Sequence, residues 1–555
     1  MSRDSRTGAP VTHNVVLMSV TTTSTGGDVL AEALHAHGIE VVFGLPGVQL
    51  DAAFDALARR QDVFHVYQTR HEQATSYMAD GYARSTGRPA CCLVVPGPGL
   101  LNATSGLATA YACNSPVVCV AGQIPSGSIE RGLGQLHEVP HQLELLGSVT
   151  KWAGRAMAAD EIGQVVADAF WHLREGRPRP VGIEVPLDVL EAAVDGAVTT
   201  PATSPAPAPD LSQLDRAARL LESAERPLIV AGGGVLRAGA WDELRELAER
   251  LDAPVLMTTN AQGALPADHP LAFPSLSASR LVPAADVILA VGTRFARRAM
   301  GPRWRLEPEQ QLIRIDADPD ELTLDVEPAV AVRADARPAL SVLAESVAAR
   351  DGTGWRELER LRDESLAPAL ALQPQAAFGA AIRAALPGET VVIAGMTQVG
   401  YWSRAALPAQ LPRTVLTSGY QGTLGYEYPT GLGAQVGRPD TRVVVLVGDG
   451  GFLFNVQELA TAVLHGIPAI CVVFDDGAYG NVRRIQQQRF GRLLGSELHN
   501  PDFVRLGESF GMTAMRADGP ESLGSCLRRA LDVDGPVLIE VPVGEMDDPW
   551  PMLAG

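Results

Sequence analysis

One acidic residue in a glycine-rich turn is the part of the sequence that most directly indicates chemistry. The apolar run VVVLV ends in Gly448, Asp449, Gly450 and Gly451, and an amphipathic pattern follows. Glycines let a backbone approach a ligand closely, and N–H groups at a helix start attract an anion such as phosphate. A carboxylate here would repel a phosphate unless a cation lay between them. Asp449 therefore indicates Mg2+ bridging the protein to a diphosphate.

A second acidic residue follows the next apolar run. Asp476 lies 27 residues after Asp449, behind the run AICVVF. Neighbouring parallel strands end at the same edge of a sheet, so both carboxylates could bind one ion. We also expect Asn455 and Glu458 to cap the intervening helix, because they have the spacing of a capping box.

The elements that must position these residues follow a regular alternation. Apolar runs of four to seven residues alternate with helical patterns over 29–541. This predicts an α/β fold of βα units, with parallel sheets covered by helices on both faces. A Pro-, Ala- and Thr-rich stretch at 198–210 and a charged stretch at 350–375 interrupt it. We therefore predict three doubly wound parallel-sheet domains, at 22–195, 210–348 and 370–546.

The first and third domains are expected to be similar. LATAYACNSPVVCV at 107–120 and LATAVLHGIPAICV at 459–472 agree at seven of fourteen positions. Both have the order helix, turn, strand, which indicates duplicated α/β sheets. The alternative is chance similarity between two alanine-rich helices followed by strands.

Composition and charge exclude several classes of protein. The net charge of −19 argues against a nucleic-acid partner or an anionic membrane surface. Six cysteines show no metal-ligand spacing, and we expect reduced core thiols. No apolar run approaches about 18 residues, and the start has no signal-peptide pattern. We therefore expect a cytoplasmic protein without a membrane partner.

The stretch from GDG to FDDGAYG resembles the signature of thiamine-diphosphate-dependent enzymes. That signature usually closes in Asn-Asn, whereas this chain has Asp475 and Asp476. The resemblance implies that Asp449, Asp476 and the backbone carbonyl of Ala478 bind Mg2+ at the cofactor's diphosphate. It also places Tyr479 beside the cofactor. The departure at Asp475 adds a negative charge next to the diphosphate.

A segment of the first domain resembles the part of these enzymes that carries their catalytic glutamate. It reads RHEQATSYMADGYARSTGRPA, and the glutamate is Glu72. In the family this carboxyl hydrogen-bonds the cofactor's aminopyrimidine and promotes loss of the thiazolium proton. A helix cap or a salt bridge is the alternative for Glu72. Other loops resemble those around the pyrimidine and the reacting carbon, and they contain Pro46 and Gly47, the segment PGPG at 96–99, and Gln123.

The third domain holds two further segments of this kind. TSGYQGTLGYEYPTGLGA resembles the segment in which Gly422 offers its carbonyl to the 4′-amino group and Leu424 props the cofactor in a V shape. An ordinary core leucine is the alternative for Leu424. GMTQVGY resembles the loop that touches the diphosphate, which makes Thr397 and Gln398 candidates.

The resemblance covers almost the whole chain, with the domain order of acetohydroxyacid synthases. It implies an enzyme that decarboxylates a 2-oxo acid, with pyruvate favoured, and transfers the acyl carbanion to a second carbonyl. Small 2-oxo acids or aldehydes would be its substrates. In that family the glutamate and the metal site meet across a subunit boundary, which implies a homodimer or a homotetramer.

Pocket residues differ in part from that family. Arg298 stands where an arginine holds the second keto acid, whereas Ile485 replaces a tryptophan and Leu136 replaces a phenylalanine. His137 could relay protons as a neutral imidazole, with a solvent-facing loop histidine as the alternative. The central domain has FPSLSASRL in place of a Gly-Met-His-Gly segment. We therefore expect no bound FAD.

Other functions stay open at this point. A 2-hydroxyacyl-CoA or aldehyde lyase and a simple 2-oxo-acid decarboxylase use the same cofactor core. LIVAGGGVLRAGAW is typical of dinucleotide binding, but no acid ends the next strand, PVLMTTN, to bind a ribose. A non-catalytic cofactor-binding protein is the third class, and the presence of Glu72 argues against it.

Overall fold

The computed structural model describes residues 24–194, 208–295, 304–324, 326–350 and 352–554. In these ranges, three six-stranded sheets follow one another along the chain, and every strand pair within them is parallel. A short antiparallel pair joins Ser24–Thr25 to Ala193–Val194. The predicted α/β fold with three parallel sheets is confirmed.

The first and third sheets have the same strand order. Numbered within each sheet, the strands of both lie in the order 2-1-3-4-6-5. This shared order confirms that the two domains are similar. Across the first sheet the strands are His65–Gln68, Val41–Gly44, Ala90–Val94, Val117–Gln123, Val181–Pro186 and Trp152–Arg155. Across the third they are Val415–Leu416, Val391–Ala394, Val443–Gly448, Ile470–Asp475, Val537–Pro542 and Thr513–Arg516.

The central sheet has a different order, 3-2-1-4-5-6 within the sheet. In sheets of this order the chain reverses direction between strands 1 and 4, which opens a crevice at their carboxyl ends. Across the sheet the strands are Ala272–Phe273, Val255–Met257, Pro227–Ala231, Val287–Val291, Gln311–Asp316 and Val330–Arg333.

Helices connect the strands and cover the sheets. In the first domain they are Gly26–Ala36, Asp51–Ala58, Glu72–Thr86, Pro98–Cys113, Gln142–Ser148, Ile162–Arg174 and Leu187–Glu191. In the central domain they are Leu211–Ser223, Gly233–Ala238, Trp241–Leu251, Ala278–Ala284 and Ala336–Ser346. From the connector onward they are Leu358–Ala371, Gln375–Ala385, Gln398–Ala406, Glu427–Gly437, Asp449–Phe452, Leu459–Leu464, Gly480–Phe490, Phe503–Ser509, Pro520–Leu531 and Trp550–Ala554.

Each sheet lies inside one of the segments 22–195, 210–348 and 370–546. We keep these boundaries as a proposal. In the described ranges, no helix is long and apolar enough to cross a membrane. The six cysteines are free and five of them are buried, as expected of core thiols.

A hydrophobic cluster joins the first and third domains where helix Glu72–Thr86 packs on helix Glu427–Gly437. Two glycines permit this close approach. A Cβ atom at Gly81 would lie 1.9 Å from the carbonyl oxygen of Thr430, and one at Gly433 would lie 1.9 Å from that of Met78. The packing therefore fixes the starts of both helices, where Glu72 and Glu427 lie.

The predicted capping box at Asn455 and Glu458 is wrong. Asn455 makes no side-chain capping bond, and its amide donates to the carbonyl oxygen of Gly425 at 2.6 Å. The Glu458 carboxylate accepts from the backbone N–H of Arg70 at 3.1 Å. Partners distant in sequence thus replace the local bonds, and Glu458 ties the third domain to the segment just before Glu72.

Candidate active site

Two acidic residues lie at the carboxyl edge of the third sheet. The strands Val443–Gly448 and Ile470–Asp475 pair in parallel, which confirms the prediction that they are neighbours. Asp449 follows the first strand directly and Asp476 follows the second. The turns that carry Asp449 and Asp476 therefore lie at the same edge of the sheet, as predicted.

Asp449 is a buried carboxylate with two other carboxylates, those of Asp475 and Asp476, nearby. The residue is 2% exposed. Burial raises the pKa of Asp449 to about 6; a hydrogen bond from Asn500 opposes this rise, and the charges of Asp476 and Asp475 add to it. A cation between these carboxylates would remove their repulsion. In the described ranges no group of three or more His, Cys, Asp or Glu side chains could hold a metal alone, so a cation here would need further oxygen ligands.

The loop after the second strand is held in place by a β-bridge between Ala478 and Glu497. Its two backbone hydrogen bonds are donated by the N–H groups of Tyr479 and Leu498, each at 2.8 Å. Neither bond uses the carbonyl oxygen of Ala478, which stays a candidate ligand. The ring of Tyr479 covers Gly450, where a Cβ atom would lie 2.6 Å from it. A side chain at Gly450 would therefore clash with Tyr479.

The proposed diphosphate loop lies beside this turn. Thr397 is the N-cap of helix Gln398–Ala406, and its Cβ atom lies 3.5 Å from a Cβ built at Gly448. In the described part of the chain, the buried Oε1 atom of Gln398 has no hydrogen-bond partner. If the amide of Gln398 were flipped, its NH2 group would take the position of the unpartnered Oε1 atom. A diphosphate oxygen could then accept a hydrogen bond from it.

The segment that contains Gly422 and Leu424, which is predicted to contact the pyrimidine, lies against the first domain. Gly422 has a φ of 59°, in the left-handed region that suits glycine. Leu424 is only partly buried, which does not fit an ordinary core leucine. Between them, the hydroxyl of Thr423 lies 3.5 Å from that of Tyr77, on the helix that Glu72 begins.

Glu427 is a buried acid that sequence reasoning missed. It is fully buried at the start of its helix, and its Oε1 atom accepts from the backbone N–H of Met396 at 2.9 Å. In the described residues its Oε2 atom has no hydrogen-bond partner. Burial raises the pKa of Glu427 to about 7. The signal available in the sequence was an acid inside a run of small and aromatic residues.

Glu72 occupies the corresponding edge of the first domain. It is the first residue of its helix, and His71 caps that helix by accepting from the N–H of Gln73. The Oε2 atom of Glu72 accepts from the side-chain amide of Asn102 at 3.0 Å. Its Oε1 atom lies 3.6 Å from a Cβ built at Gly99. The carboxyl is partly buried in the single chain, and its hydrogen-bond partner is neutral.

Three predicted loops meet around Glu72. A Cβ atom at Gly47, next to Pro46, would lie 2.5 Å from Val95, and one at Gly97 would lie 2.3 Å from the carbonyl oxygen of His137. His137 is partly buried and has a φ of 68°. In the part of the chain that the structure describes, its buried Nδ1 atom has no hydrogen-bond partner. His137 is thus not a fully solvent-facing histidine.

Gln123 lies at the end of its strand but is already engaged. Its amide NH2 donates to Glu184 at 2.7 Å, and its Oε1 atom accepts from the N–H of Ile124 at 2.7 Å. Glu184 also accepts from Gln142 at 2.6 Å. Gln123 therefore belongs to a buried polar network, and contact with a substrate would require it to exchange a partner.

The candidate substrate residues are spread over different domains. Arg298 lies outside the described residues. Leu136, which is 62% exposed, belongs to the first domain, and Ile485, which is 39% exposed, belongs to the third. In the described ranges no hydrogen bond or ion pair directly joins Glu72 to Asp449.

A cavity of about 490 Å3 lies among the three domains. Its lining includes Gly233 and Gly234, where the central sheet reverses its order, and arginines from each domain, namely Arg84, Arg237 and Arg413. Glycines at a switch point together with cationic side chains fit an anionic nucleotide. No acid follows strand Val255–Met257, as the sequence indicated.

Two similar sheets with an acidic site at the edge of each define a cofactor enzyme assembled from two related domains, and comparison with known families agrees. Residues 24–145, 214–343 and 394–541 match the models described as the N-terminal TPP binding domain, the central domain and the C-terminal TPP binding domain of thiamine pyrophosphate enzymes. This chain belongs to the thiamine pyrophosphate enzyme family.

Similar proteins within the family have more than one activity in their names. A probable acetolactate synthase large subunit of Methanocaldococcus jannaschii is 34% identical, over 93% of this chain and 92% of its own length. A probable 2-ketoarginine decarboxylase of Pseudomonas aeruginosa is 36% identical, over 96% of each chain. The acetolactate synthase isozyme 1 large subunit of Escherichia coli is 32% identical, over 95% of this chain and 96% of its own length. The chain is thus an enzyme of the acetolactate-synthase-like or decarboxylase kind.

Proposed function

We propose that this enzyme decarboxylates a 2-oxo acid, with pyruvate as the favoured donor, and transfers the acyl unit to a second carbonyl compound. The observation that carries the proposal is the pair of sites at corresponding edges of two like sheets. Glu72 lies at one edge, and the carboxylates of Asp449 and Asp476 lie at the other.

The residues present fit thiamine diphosphate and Mg2+. Asp449, Asp476 and the carbonyl oxygen of Ala478 would hold the ion. The diphosphate would be held by the backbone at Gly448, Gly450 and Gly451, by Thr397 and Gln398, and beside Tyr479. Gly422, Leu424, Pro46 and Gly47 would hold the pyrimidine.

When bound, thiamine diphosphate supplies a carbon nucleophile and an electron sink. Glu72 would hold a proton on its carboxyl and exchange it with the pyrimidine ring. The loop of Gly97 and His137 would shield the reacting atoms from water, with Gln123 fixing the strand end behind it. His137 would move a proton through its unpaired Nδ1 atom. Arg298 would orient the acceptor's carboxylate.

We also propose that two chains complete each site, in a homodimer or a homotetramer. In the described part of the single chain, the Glu72 carboxylate has one hydrogen-bond partner, the amide of Asn102, and large apolar side chains are exposed in both the domain of Glu72 and that of Asp449. These side chains would be covered if a second chain packed against both domains. In the first domain they are Val48, Leu101, Leu133 and Leu136, and in the third Phe454, Val482, Phe490 and Leu494.

A second candidate is decarboxylation of a longer 2-oxo acid without carboligation. Leu136 and Ile485 favour it, since by the resemblance they stand in place of a larger phenylalanine and tryptophan of acetohydroxyacid synthases and would leave more room for a longer donor. A 2-hydroxyacyl-CoA or aldehyde lyase would use the same cofactor-binding residues.

The test supplies purified enzyme with thiamine diphosphate, Mg2+ and either pyruvate or 2-ketoarginine. Release of CO2 is followed and the products are identified by mass spectrometry. Acetolactate or an acyloin from pyruvate supports the carboligase, whereas CO2 and an aldehyde from 2-ketoarginine alone support the decarboxylase. No CO2 from either donor, with cofactor bound, would contradict both.

Two expectations need their own tests. We expect no bound FAD. The residues around the 490 Å3 cavity nevertheless fit an anionic nucleotide, so this expectation needs a test. The visible absorbance of the purified protein tests it, since a flavin spectrum would refute it. A cytoplasmic location also stays a proposal, which cell fractionation would test.

A further inference from the structure

The side chain of Asn500 lies between two carboxylates at the proposed metal site. Its amide nitrogen donates to Oδ2 of Asp449 at 2.6 Å and to Oδ1 of Asp475 at 2.7 Å. Two acceptors fix the orientation of the amide, because the flipped group would set oxygen against both carboxylates. In the described residues its buried Oδ1 atom has no hydrogen-bond partner. These two donations are thus the hydrogen bonds that hold the side chain.

Asn500 is held from both sides along the chain. Upstream, the N–H of Leu498 donates to the carbonyl oxygen of Gly477 at 2.8 Å. Downstream, the carboxylate of Asp502 accepts from the N–H of Arg505 at 3.0 Å and caps the next helix. These bonds hold the segment around Asn500 in place independently of the carboxylates of Asp449 and Asp475. Asn500 is therefore not at the tip of a free loop.

The carboxylate of Asp475 adds a second negative charge beside Asp449. Its Oδ1 atom and the Oδ2 atom of Asp449 accept hydrogen bonds from the same amide nitrogen, so the two negative charges lie close together. Unscreened, the Asp475 carboxylate would repel Asp449 and compete with it for a cation. The N–H of Gly477 also donates to Oδ1 of Asp475, at 3.2 Å. Two N–H donors thus occupy this oxygen, which leaves it less available to a cation.

We propose that Asn500 is a positioning residue for the metal site. It fixes Oδ2 of Asp449 so that Oδ1 is free to face the ion, and it screens Asp449 from the charge of Asp475. This inference rests on the proposed function, since it assumes that Asp449 binds the cofactor's metal. Partners that orient a metal ligand in this way are typically worth about 10- to 100-fold in metal affinity.

The experiment measures binding of Mn2+ in the presence of thiamine diphosphate, with free Mn2+ counted by electron paramagnetic resonance. We expect Asn500→Ala to weaken binding by about tenfold or more. Asn500→Ser, which is too short to reach both carboxylates, should behave alike and serves as a second variant. The matched control is His499→Ala, an exposed neighbour on the same segment, which should bind as the unmodified protein does.

A double substitution separates positioning from a general structural role. In Asp475→Asn the charge is gone and the new amide can itself donate towards Asp449. Adding Asn500→Ala to Asp475→Asn should therefore cost less than about threefold, by the logic of a double-mutant cycle. A merely structural asparagine would cost the same in both backgrounds.

The outcomes separate this inference from the proposed function. Unmodified protein that takes up no Mn2+ with thiamine diphosphate would overturn the proposed function. Unmodified protein that binds Mn2+, with Asn500→Ala and Asn500→Ser binding equally well, would overturn only the positioning role. Equal losses in both backgrounds would overturn it too.

Discussion

At the residue scale, Glu72 begins a helix, and in the described residues its carboxylate has one hydrogen-bond partner, the neutral amide of Asn102. We predict that Glu72→Gln lowers turnover by at least ~100-fold, because an amide cannot exchange a proton with the pyrimidine. Binding of thiamine diphosphate, measured by tryptophan fluorescence, should change little since the amide keeps the same shape. Turnover equal to that of the unmodified enzyme would remove Glu72 from the mechanism.

Glu427 gives a pH prediction for the protein without cofactor. Its pKa is raised by burial to about 7, whereas in an unfolded chain a glutamate ionises near pH 4.3. Between these values the folded state binds more protons, so the free energy of unfolding falls as pH rises from about 5 to about 7. Over this pH range the fall is about 2 kcal/mol.

The check compares thermal midpoints over this pH range. Glu427→Gln has no carboxyl to ionise, so its midpoint should fall less between pH 5 and 7 than that of the unmodified protein. Glu497→Gln, which removes an exposed carboxylate, should leave the pH profile unchanged. Identical profiles for Glu427→Gln and the unmodified protein would show that Glu427 is not a neutral buried acid.

The sequence predicted part of the site at this scale. Asp449 and Asp476 could be paired because each ends an apolar strand, and neighbouring parallel strands end together. Asn500 could not be predicted, because its importance arises from a contact with Asp449 that no local pattern specifies. For Glu427 the sequence offered an acid among small and aromatic residues, but its contact with Met396 comes from the fold.

At the element scale, the crossing of helices Glu72–Thr86 and Glu427–Gly437 depends on glycine. We predict that Gly81→Ala destabilises the protein by several kcal/mol, because its Cβ would lie 1.9 Å from the carbonyl oxygen of Thr430. Differential scanning calorimetry should show a lower transition temperature. The matched control is Gly524→Ala, another buried helical glycine, where the nearest atom to a Cβ lies 3.6 Å away.

In Gly524→Ala the helix should gain up to about 1 kcal/mol, since alanine favours a helix interior over glycine. A Gly81→Ala protein as stable as the unmodified one would mean that the two helices can separate without cost. Gly81→Ala tests how the first and third domains pack together and not the chemistry of either site.

Strong local patterns in the sequence predicted which segments form strands and helices. They did not predict individual side-chain hydrogen bonds. The alternation of apolar runs predicted parallel sheets, and the echo at 107–120 and 459–472 anticipated the shared strand order. The capping box at Asn455 and Glu458 failed because Gly425 and Arg70, far away in sequence, offered these side chains other partners. Tertiary contacts of this kind leave no local signal.

At the scale of the whole molecule, the sequence predicted three domains but not the cavity among them. That cavity needs Arg84, Arg237 and Arg413 to come together from three domains, and no spacing along the chain records this meeting. The same holds for the assembly of chains. Which apolar side chains of the first and third domains are exposed is known only once the fold is known.

If Glu72 of one chain and Asp449 of another complete one thiamine diphosphate site, as proposed, chains that each lack one of the two residues should complement each other. The most direct measurement co-expresses Glu72→Gln and Asp449→Ala chains, each inactive alone, and assays cofactor-dependent CO2 release with the active donor. In a mixed dimer one site combines an intact Glu72 with an intact Asp449. We predict recovery of roughly a quarter of normal activity, because half of the dimers are mixed and each has one working site. No recovery, with mixed dimers shown to form, would contradict the claim.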